Sequence, residues 1–225
     1  MQEATRYYPL VGVLVGLLGA AVFQLLSLLL PVLPSLILMI SATIWLTGAF
    51  HEDGFADMCD GIGGGHSREQ MLDIMRDSRL GTYGVVGIMM LLLLKLSLLW
   101  NLVTTDTTIF LTAFVVAHCL SRTSAVLVIA TSRYVRDAGV AKPVASGLSH
   151  LGIITVVLTS LVCLTVAALM IGASSIVAAT AGLLIAHLLV RRLFERKLDG
   201  YTGDCLGATQ QVSEAGFYLG LVMCI

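Results

Sequence analysis

Charged residues are scarce in this sequence. They make up 12% of the 225 residues, whereas hydrophobic residues make up 57%, and the mean hydropathy is +0.95. An ordinary soluble domain is roughly 25% charged and about 45–50% apolar. The composition therefore excludes an ordinary soluble domain and indicates a protein that crosses a membrane several times.

The sequence also lacks a basic patch and a paired cysteine motif. Its formal net charge is −1, which argues against nucleic acid as a partner. Its five cysteines show no C-x-x-C spacing, so we predict that all of them are unpaired thiols. Proline occurs only four times, at predicted span ends or in loops. No internal repeat or linker-like segment is present, so residues 1–225 are predicted to form a single domain.

Long apolar runs dominate the sequence, and a run of about 20 residues suits a helix that crosses a hydrocarbon core about 30 Å thick. The runs lack the alternation of membrane barrel strands, so the predicted fold is all-α. We predict a polytopic membrane bundle of six or seven transmembrane helices at 9–30, 35–50, 83–105, 107–132, 151–173, 174–190 and 207–225. Because the run at 35–50 is short, we expect this span to continue as helix into the polar segment that follows.

Basic residues indicate how the bundle is oriented. When successive spans alternate in direction, all Lys and Arg residues outside the spans fall on one side, before the first span and in 51–82, 133–149 and 191–203. The opposite loops contain none. The positive-inside rule predicts that this side is cytoplasmic.

The segment HEDGFADMCDG at 51–61 places four carboxylates directly after an apolar run. If it is helical, Asp53, Asp57 and Asp60 lie on one stripe at i, i+4 and i+7, whereas Glu52 points about 100° away. Carboxylates on one stripe repel one another, and a hard divalent cation removes that repulsion. Mg²⁺ takes one or two protein carboxylates with waters and phosphate oxygens, so we predict a Mg²⁺ site for a diphosphate substrate. The alternative is a charged loop that is simply solvated.

A second acidic segment, REQMLDIMRDSRLG, follows a glycine-rich turn and is predicted to form an amphipathic helix. On that helix Asp73 and Asp77 are spaced i, i+4, and Arg76 and Arg79 flank Asp77. We expect the helix to bring Asp77 within reach of the first stripe, in a site for one or two metal ions. The two arginines are predicted substrate contacts.

A third polar stretch, GYTGDCLGATQQVSE at 200–214, opens the last apolar segment. Asp204 and Gln211 lie on one helical stripe, and Glu214 is one turn beyond Gln211. Polar residues that run so far into an apolar helix favour a binding site, in which Gln211 and Glu214 would contact substrate. The alternative is a helix N-terminus capped by Thr202 or Asp204.

Two basic residues, Lys95 and Arg122, fall inside predicted spans. Charges at such depth face the bundle interior and are functional by default, with a helix–helix ion pair as the alternative. We expect no acid at the depth of Arg122, because the clustered acids lie near one membrane edge. Arg122 is therefore predicted to face a cavity that opens toward the aspartates and to bind an anionic part of the substrate.

Three of these segments together, FHEDGFADMCDGIGG, MRDSRLGTYG and GYTGDCLGATQQVSE, resemble the adenosylcobinamide-GDP ribazoletransferases, the cobalamin synthases of bacteria and archaea. The resemblance implies an enzyme of the cytoplasmic (inner) membrane that needs Mg²⁺. It implies that a ribose hydroxyl of α-ribazole, or of its 5′-phosphate, attacks adenosylcobinamide-GDP, releases GMP and forms adenosylcobalamin or its 5′-phosphate. Asp53, Asp57, Asp60, Asp77 and Asp204 match motif positions and are expected to be catalytic, the first four as Mg²⁺ ligands.

The resemblance leaves several properties open. Family members carry a further segment ahead of the stretch that reads RYYPLVG here, so the resemblance implies a longer N-terminus. The lower-ligand base, the choice between ribazole and its phosphate, and assembly into a homo-oligomer are not fixed.

Two other functions match these patterns less well. The D-x-x-D-G of Asp57, Asp60 and Gly61 with a later D-x-x-x-D also resembles CDP-alcohol phosphotransferases. The alanine–arginine pair that follows the first motif in that family is missing, and the segment between the motifs is too short. A divalent-cation carrier or channel would need acids at the middle of the membrane, where this sequence has cations.

Overall fold

The computed structural model describes residues 2–136 and 149–225, and this part of the chain forms nine α-helices and no β-strand. The predicted all-α fold is confirmed. The helices are α1 (Tyr8–Leu26), α2 (Val32–Leu46), α3 (Phe50–Gly64), α4 (Arg68–Ile74), α5 (Thr82–Thr105), α6 (Thr107–Thr131), α7 (His150–Ile171), α8 (Ala173–Leu198) and α9 (Gly203–Val222). A 3₁₀ turn at Gln2–Tyr7 precedes α1. Residues 137–148 of the predicted loop at 133–149 lie outside the described residues.

The described chain has five or six candidate membrane spans. Five helices are long and apolar enough to cross a membrane alone, namely α1 with the turn before it, α5, α6, α7 and α8. Helices α2 and α3 pass the same test only as a pair. The predicted multi-pass bundle is confirmed, but the segment predicted as the last span, 207–225, is not among these candidates. It is helical as part of α9, whose polar residues lower its hydropathy.

The expected continuous helix through the second span and the acidic segment is wrong. Helix α2 ends at Leu46, α3 begins at Phe50, and the two are bent by 88° at the break. Gly48 and Ala49 between them have φ angles of 65° and 54°, a left-handed conformation that glycine adopts readily and alanine rarely. The acidic segment is nevertheless helical throughout, so its predicted stripe exists on α3.

Helices α6 and α9 form the centre of the bundle. Helix α9 packs against α8, α3, α6 and α5, and α6 also packs against α1 and α7. The large side chains of Phe114 in α6 and of Phe217 and Tyr218 in α9 are fully buried. By contrast, α1, α5, α7 and α8 expose many Leu, Ile and Val side chains. Such an outer surface suits contact with lipid.

The polar loops meet at one end of the bundle, where α3, α6 and α8 end and α5 and α9 begin. There the Arg68 Nε donates to the Leu198 carbonyl oxygen at 2.8 Å, and Tyr134 forms an isolated parallel bridge with Tyr201. We call this the polar end. All five cysteines are free thiols, as predicted.

Candidate functional site

Helix α3 presents its three aspartates in different surroundings. Asp53 is exposed, Asp57 is half-buried and Asp60 is buried. Within the described chain, no hydrogen bond or ion pair engages the Asp53 or Asp57 carboxylate. The negative charges of Asp53 and Asp204 act on Asp57, with Arg136 as an opposing charge. We call Asp53, Asp57 and Asp204 the acidic cluster, and its repulsion favours a bound cation.

Asp60 has a structural role that the sequence does not reveal. Its Oδ2 accepts a hydrogen bond from the Gly81 amide at 2.7 Å, and its Oδ1 accepts one from the Gly84 amide at 2.8 Å. Amides at a helix start lack partners within the helix, and a negative charge is favourable there. Asp60 therefore ties α3 to the start of α5. Each oxygen keeps a further lone pair, so metal binding by Asp60 stays a prediction.

Asp204 reaches the cluster because α3 and α9 pack closely. A Cβ on Gly54 would lie 3.0 Å from the Asp204 Cα, so the two backbones are nearly in contact there. The Asp204 Oδ2 accepts a hydrogen bond from the Arg136 Nη2 at 2.7 Å. Thr202 is the N-cap of α9 and accepts from the Cys205 amide, so a capped helix start and a place in the cluster coexist.

The backbone of the second acidic segment borders this cluster, because the Arg136 Nη2 that binds Asp204 also donates to the Met75 carbonyl oxygen at 3.1 Å. The expected helix through Asp77 is wrong, because α4 ends at Ile74 and the chain then turns toward α5. Hydrogen bonds from Arg79, at 2.6 Å from its Nη2 and 3.1 Å from its amide, hold the pKa of Asp77 below its usual range. Asp73 and Arg76 form a looser pair at 3.6 Å. Among the described residues the Asp77 carboxylate is bonded to Arg79 and to no member of the acidic cluster, so its catalytic role stays a prediction.

A second polar group lies inside the bundle. Lys95 of α5 and Glu214 of α9 form an ion pair at 2.7 Å, with side chains that are 7% and 1% exposed. Glu214 also accepts hydrogen bonds from the Gln210 Nε2 at 2.8 Å and the Tyr218 hydroxyl at 3.2 Å. The expectation that no acid lies at this depth is wrong, because α9 carries Glu214 into the centre of the bundle. We call Lys95, Gln210, Gln211 and Glu214 the buried network.

Gln211 connects the buried network to α3. Its Oε1 accepts from the Lys95 Nζ at 3.1 Å, and its Nε2 donates to the Glu52 Oε1 at 2.7 Å and to the Gln210 Oε1 at 2.9 Å. Both N–H donors of the amide are therefore used, which leaves no donor for a substrate. Gln211 and Glu214 hold α3, α5 and α9 together, and their role as substrate contacts stays a prediction.

Arg122 lies beside the buried network without a direct ion pair. Its Nη1 donates to the His118 carbonyl oxygen at 3.0 Å, and no carboxylate of the described residues lies within 4.0 Å of its guanidinium. Arg122, Glu52, Lys95 and Glu214 line one small cavity. The cavity leaves about 20 Å³ for the centre of a water molecule, which is room for roughly one water.

Arg122 also lines a larger apolar groove toward α1. No member of the acidic cluster lines this groove or the small cavity. The predicted opening from Arg122 toward the aspartates is thus not found in these two cavities.

Two of these ion pairs, Arg136–Asp204 and Lys95–Glu214, were not predicted from the sequence. Arg136 is one of several basic residues after α6, and only the fold shows that it reaches Asp204. Lys95 and Glu214 carried a usable signal, since opposite charges within apolar helices generally pair with each other. Their spacing of more than a hundred residues gives no indication that they meet.

The donors at the acidic cluster can be compared with the needs of a metal ion. Within residues 2–136 and 149–225, no group of three or more His, Cys, Asp or Glu side chains is close enough to hold a metal. Asp53 and Asp57, one helical turn apart, remain as free oxygen ligands. That set is too small for a closed zinc or calcium site. It fits Mg²⁺, which binds one or two carboxylates and completes its shell with water and substrate phosphates.

The fold and the site define a multi-pass helical membrane protein with free carboxylates at its polar end and a sealed charge network inside. The chain belongs to the cobalamin-5-phosphate synthase family, which it matches over residues 1–222. The adenosylcobinamide-GDP ribazoletransferase of Shewanella sp. (strain ANA-3) is 42% identical over 229 residues, covering 99% of this chain and 84% of the relative. The adenosylcobinamide-GDP ribazoletransferase of Leptothrix cholodnii is 41% identical over 223 residues, covering 98% of this chain and 84% of the relative. No solved structure matches the chain. The family resemblance predicted from three motifs is confirmed.

Proposed function

We propose that the protein is an adenosylcobinamide-GDP ribazoletransferase of the cytoplasmic (inner) membrane. It would join α-ribazole or its 5′-phosphate to adenosylcobinamide-GDP with release of GMP. The observation that carries the proposal is the 42% identity to relatives of that name over 99% of this chain. The one-sided distribution of basic residues supports a polar end that faces the cytoplasm.

Asp53 and Asp57 are the residues that would hold Mg²⁺. Both carboxylates lack partners within the described chain, and each adds to the negative field that a cation would relieve. When bound, Mg²⁺ would neutralise the diphosphate of the substrate and stabilise the charge that develops on departing GMP. Asp60 would keep α3 in register with α5 through its two backbone hydrogen bonds.

The remaining groups of the polar end would bind the nucleotide and accept a proton. Arg76 and Arg79 have side chains that are 56% and 87% exposed, so each can leave its weak surface pair and turn toward a phosphate. A free carboxylate of the acidic cluster would accept the proton of the attacking ribose hydroxyl. Asp204 is the least available base, because Arg136 and Thr202 already donate to its Oδ2.

A reconstituted reaction tests this proposal. Purified protein in phosphatidylcholine liposomes would receive adenosylcobinamide-GDP, α-ribazole 5′-phosphate and Mg²⁺, and GMP would be measured by chromatography. We expect GMP and the joined product in equal amounts, and neither when EDTA replaces Mg²⁺ or when the ribazole is omitted. No product with all components present, or GMP release without the ribazole, would contradict the proposal.

A further inference from the structure

An apolar groove of about 470 Å³ runs along the outside of the bundle between α1, the α2–α3 break and α6. Val11, Leu14 and Leu18 of α1 line one wall, and Leu46 and Phe50 line the other. These five side chains are exposed in the isolated chain. Because α1 is a candidate span, the groove opens toward the hydrocarbon of the membrane.

The length of the groove matches one leaflet of a bilayer. Its wall on α1 extends from Tyr8 to Leu18, which is about 15 Å at 1.5 Å per residue. The hydrocarbon core is about 30 Å thick, so the groove spans about half of it. One acyl chain from the leaflet at the polar end could therefore lie along α1.

A buried cation lies at the polar end of this groove. Gly12 of α1 lies against the backbone of His118 and Gly16 lies against Val115, so α1 and α6 are antiparallel. Arg122, one turn beyond His118, is therefore level with the first turn of α1. The groove thus has a guanidinium where a lipid phosphate would lie and apolar walls where an acyl chain would lie.

The guanidinium has unused hydrogen-bonding capacity. Arg122 is 5% exposed, and its one hydrogen bond within the described chain leads from Nη1 to His118. Glu214 is paired with Lys95, and the Glu52 Oε1 accepts from Gln211. The buried Glu52 Oε2 has no hydrogen bond in the described chain, but it lies more than 4.0 Å from the guanidinium. A guanidinium has five N–H donors and binds phosphate through two parallel hydrogen bonds. The arrangement therefore fits a ligand with one anionic phosphate and a long apolar part.

We propose that this groove binds an anionic phospholipid of the surrounding membrane, with its phosphate on Arg122 and one acyl chain along α1. Thr47 and His51 at the α2–α3 break line the same groove. The bound lipid would contact the start of α3 at Phe50 and His51, so the composition of the membrane would influence the helix that carries Asp53 and Asp57.

Native mass spectrometry of the purified protein, titrated with phosphatidylglycerol or phosphatidylcholine, tests this proposal. We expect one phosphatidylglycerol per chain, bound more tightly than phosphatidylcholine. Arg122→Gln should weaken its binding about tenfold, as expected for one charge-assisted contact. Leu14→Trp should also weaken it by filling the groove without removing charge.

Two matched variants serve as controls. Arg192→Gln removes an exposed charge elsewhere, and Leu17→Trp enlarges an exposed leucine of α1 that does not line the groove. Both should bind phosphatidylglycerol like the wild type. If Arg122→Gln fails to fold, the comparison of Leu14→Trp with Leu17→Trp decides the question.

Several outcomes would overturn the proposal. Equal binding of the two lipids, or equal binding by the Leu14 and Leu17 variants, would exclude an anionic lipid in the groove. A second copy of the chain bound in place of lipid would assign the groove to a dimer interface. Unchanged lipid binding by Arg122→Gln, with loss of adenosylcobinamide-GDP binding, would assign Arg122 to the substrate site instead.

Discussion

Helix α9 carries Glu214 in the buried network, and α3 carries Asp53 and Asp57 in the acidic cluster. The surroundings of Glu214 and of these two aspartates are opposite. Glu214 has a lysine, an amide and a hydroxyl as direct partners. Asp53 and Asp57 have none within the described chain. An unpaired charge inside a membrane is expensive, whereas one at an open edge stays solvated and available. The comparison separates acids that hold the bundle together from acids that await a ligand.

The two groups are also physically connected. Gln211 bonds both Lys95 and Glu52, and Glu52 directly precedes Asp53 in α3. The buried network thereby fixes the position of α3, which presents Asp53 and Asp57 to the acidic cluster. Variants in the buried network should therefore change stability, and variants of Asp53 and Asp57 in the acidic cluster should change catalysis.

The largest expected effect comes from breaking the buried ion pair. Glu214→Gln leaves Lys95 without a carboxylate, and removal of one partner of a buried pair costs about 3–5 kcal/mol. We expect a marked fall in the Tm of the protein in nanodiscs, partly restored in the Lys95→Met/Glu214→Gln double variant. The exposed Glu69→Gln is the control and should melt like the wild type. A wild-type Tm for Glu214→Gln would show that the network does not stabilise the bundle.

The next effect concerns the acidic cluster. Asp57→Asn should lower turnover by about a hundredfold or more, because metal assistance contributes several kcal/mol to such reactions. Its Tm should not fall, since no hydrogen bond or ion pair engages this carboxylate within the described residues. Glu52→Gln is the matched neighbour on another face of α3 and can still accept from Gln211, so it should keep turnover within about tenfold of wild type. A larger loss of turnover in Glu52→Gln than in Asp57→Asn would contradict the assignment.

Asp60 and Asp57 lie on the same stripe of α3, but we expect Asp60 to contribute to stability and Asp57 to catalysis. Asp60→Asn replaces a charged acceptor of two backbone amides, and hydrogen bonds to charged groups contribute about 1.5–3 kcal/mol. We expect a lower Tm than for Asp57→Asn, measured in the same nanodiscs. An unchanged Tm with abolished turnover would instead make Asp60 a metal ligand.

The smallest effect is expected at Asp77, which is paired with Arg79 on the surface. Asp77→Asn should leave the Tm unchanged and keep turnover within about tenfold of wild type, because exposed ion pairs contribute little. Loss of turnover as complete as in Asp57→Asn would show that this segment closes over the acidic cluster during the reaction.

Local spacing predicted the helical stripe on α3, the membrane bundle and the family motifs. It did not predict the turn between α2 and α3, because that turn depends on a left-handed conformation at Ala49, a residue type that rarely adopts it. It also did not predict the partners of Asp60, Glu214 and Asp204. The partners Gly81, Lys95 and Arg136 lie more than 20 residues away from these acids in the chain, so packing rather than periodicity decides which charges are paired.

Binding of a divalent ion tests most directly whether Asp53 and Asp57 are metal ligands and the neighbouring Glu52 is not. Mn²⁺ can serve as a paramagnetic probe for the Mg²⁺ site, followed by electron paramagnetic resonance with adenosylcobinamide-GDP present. We predict that the wild type and Glu52→Gln bind the ion and that the Asp53→Asn/Asp57→Asn double variant does not. Wild-type binding by the double variant, or loss of binding only in Glu52→Gln, would contradict the account.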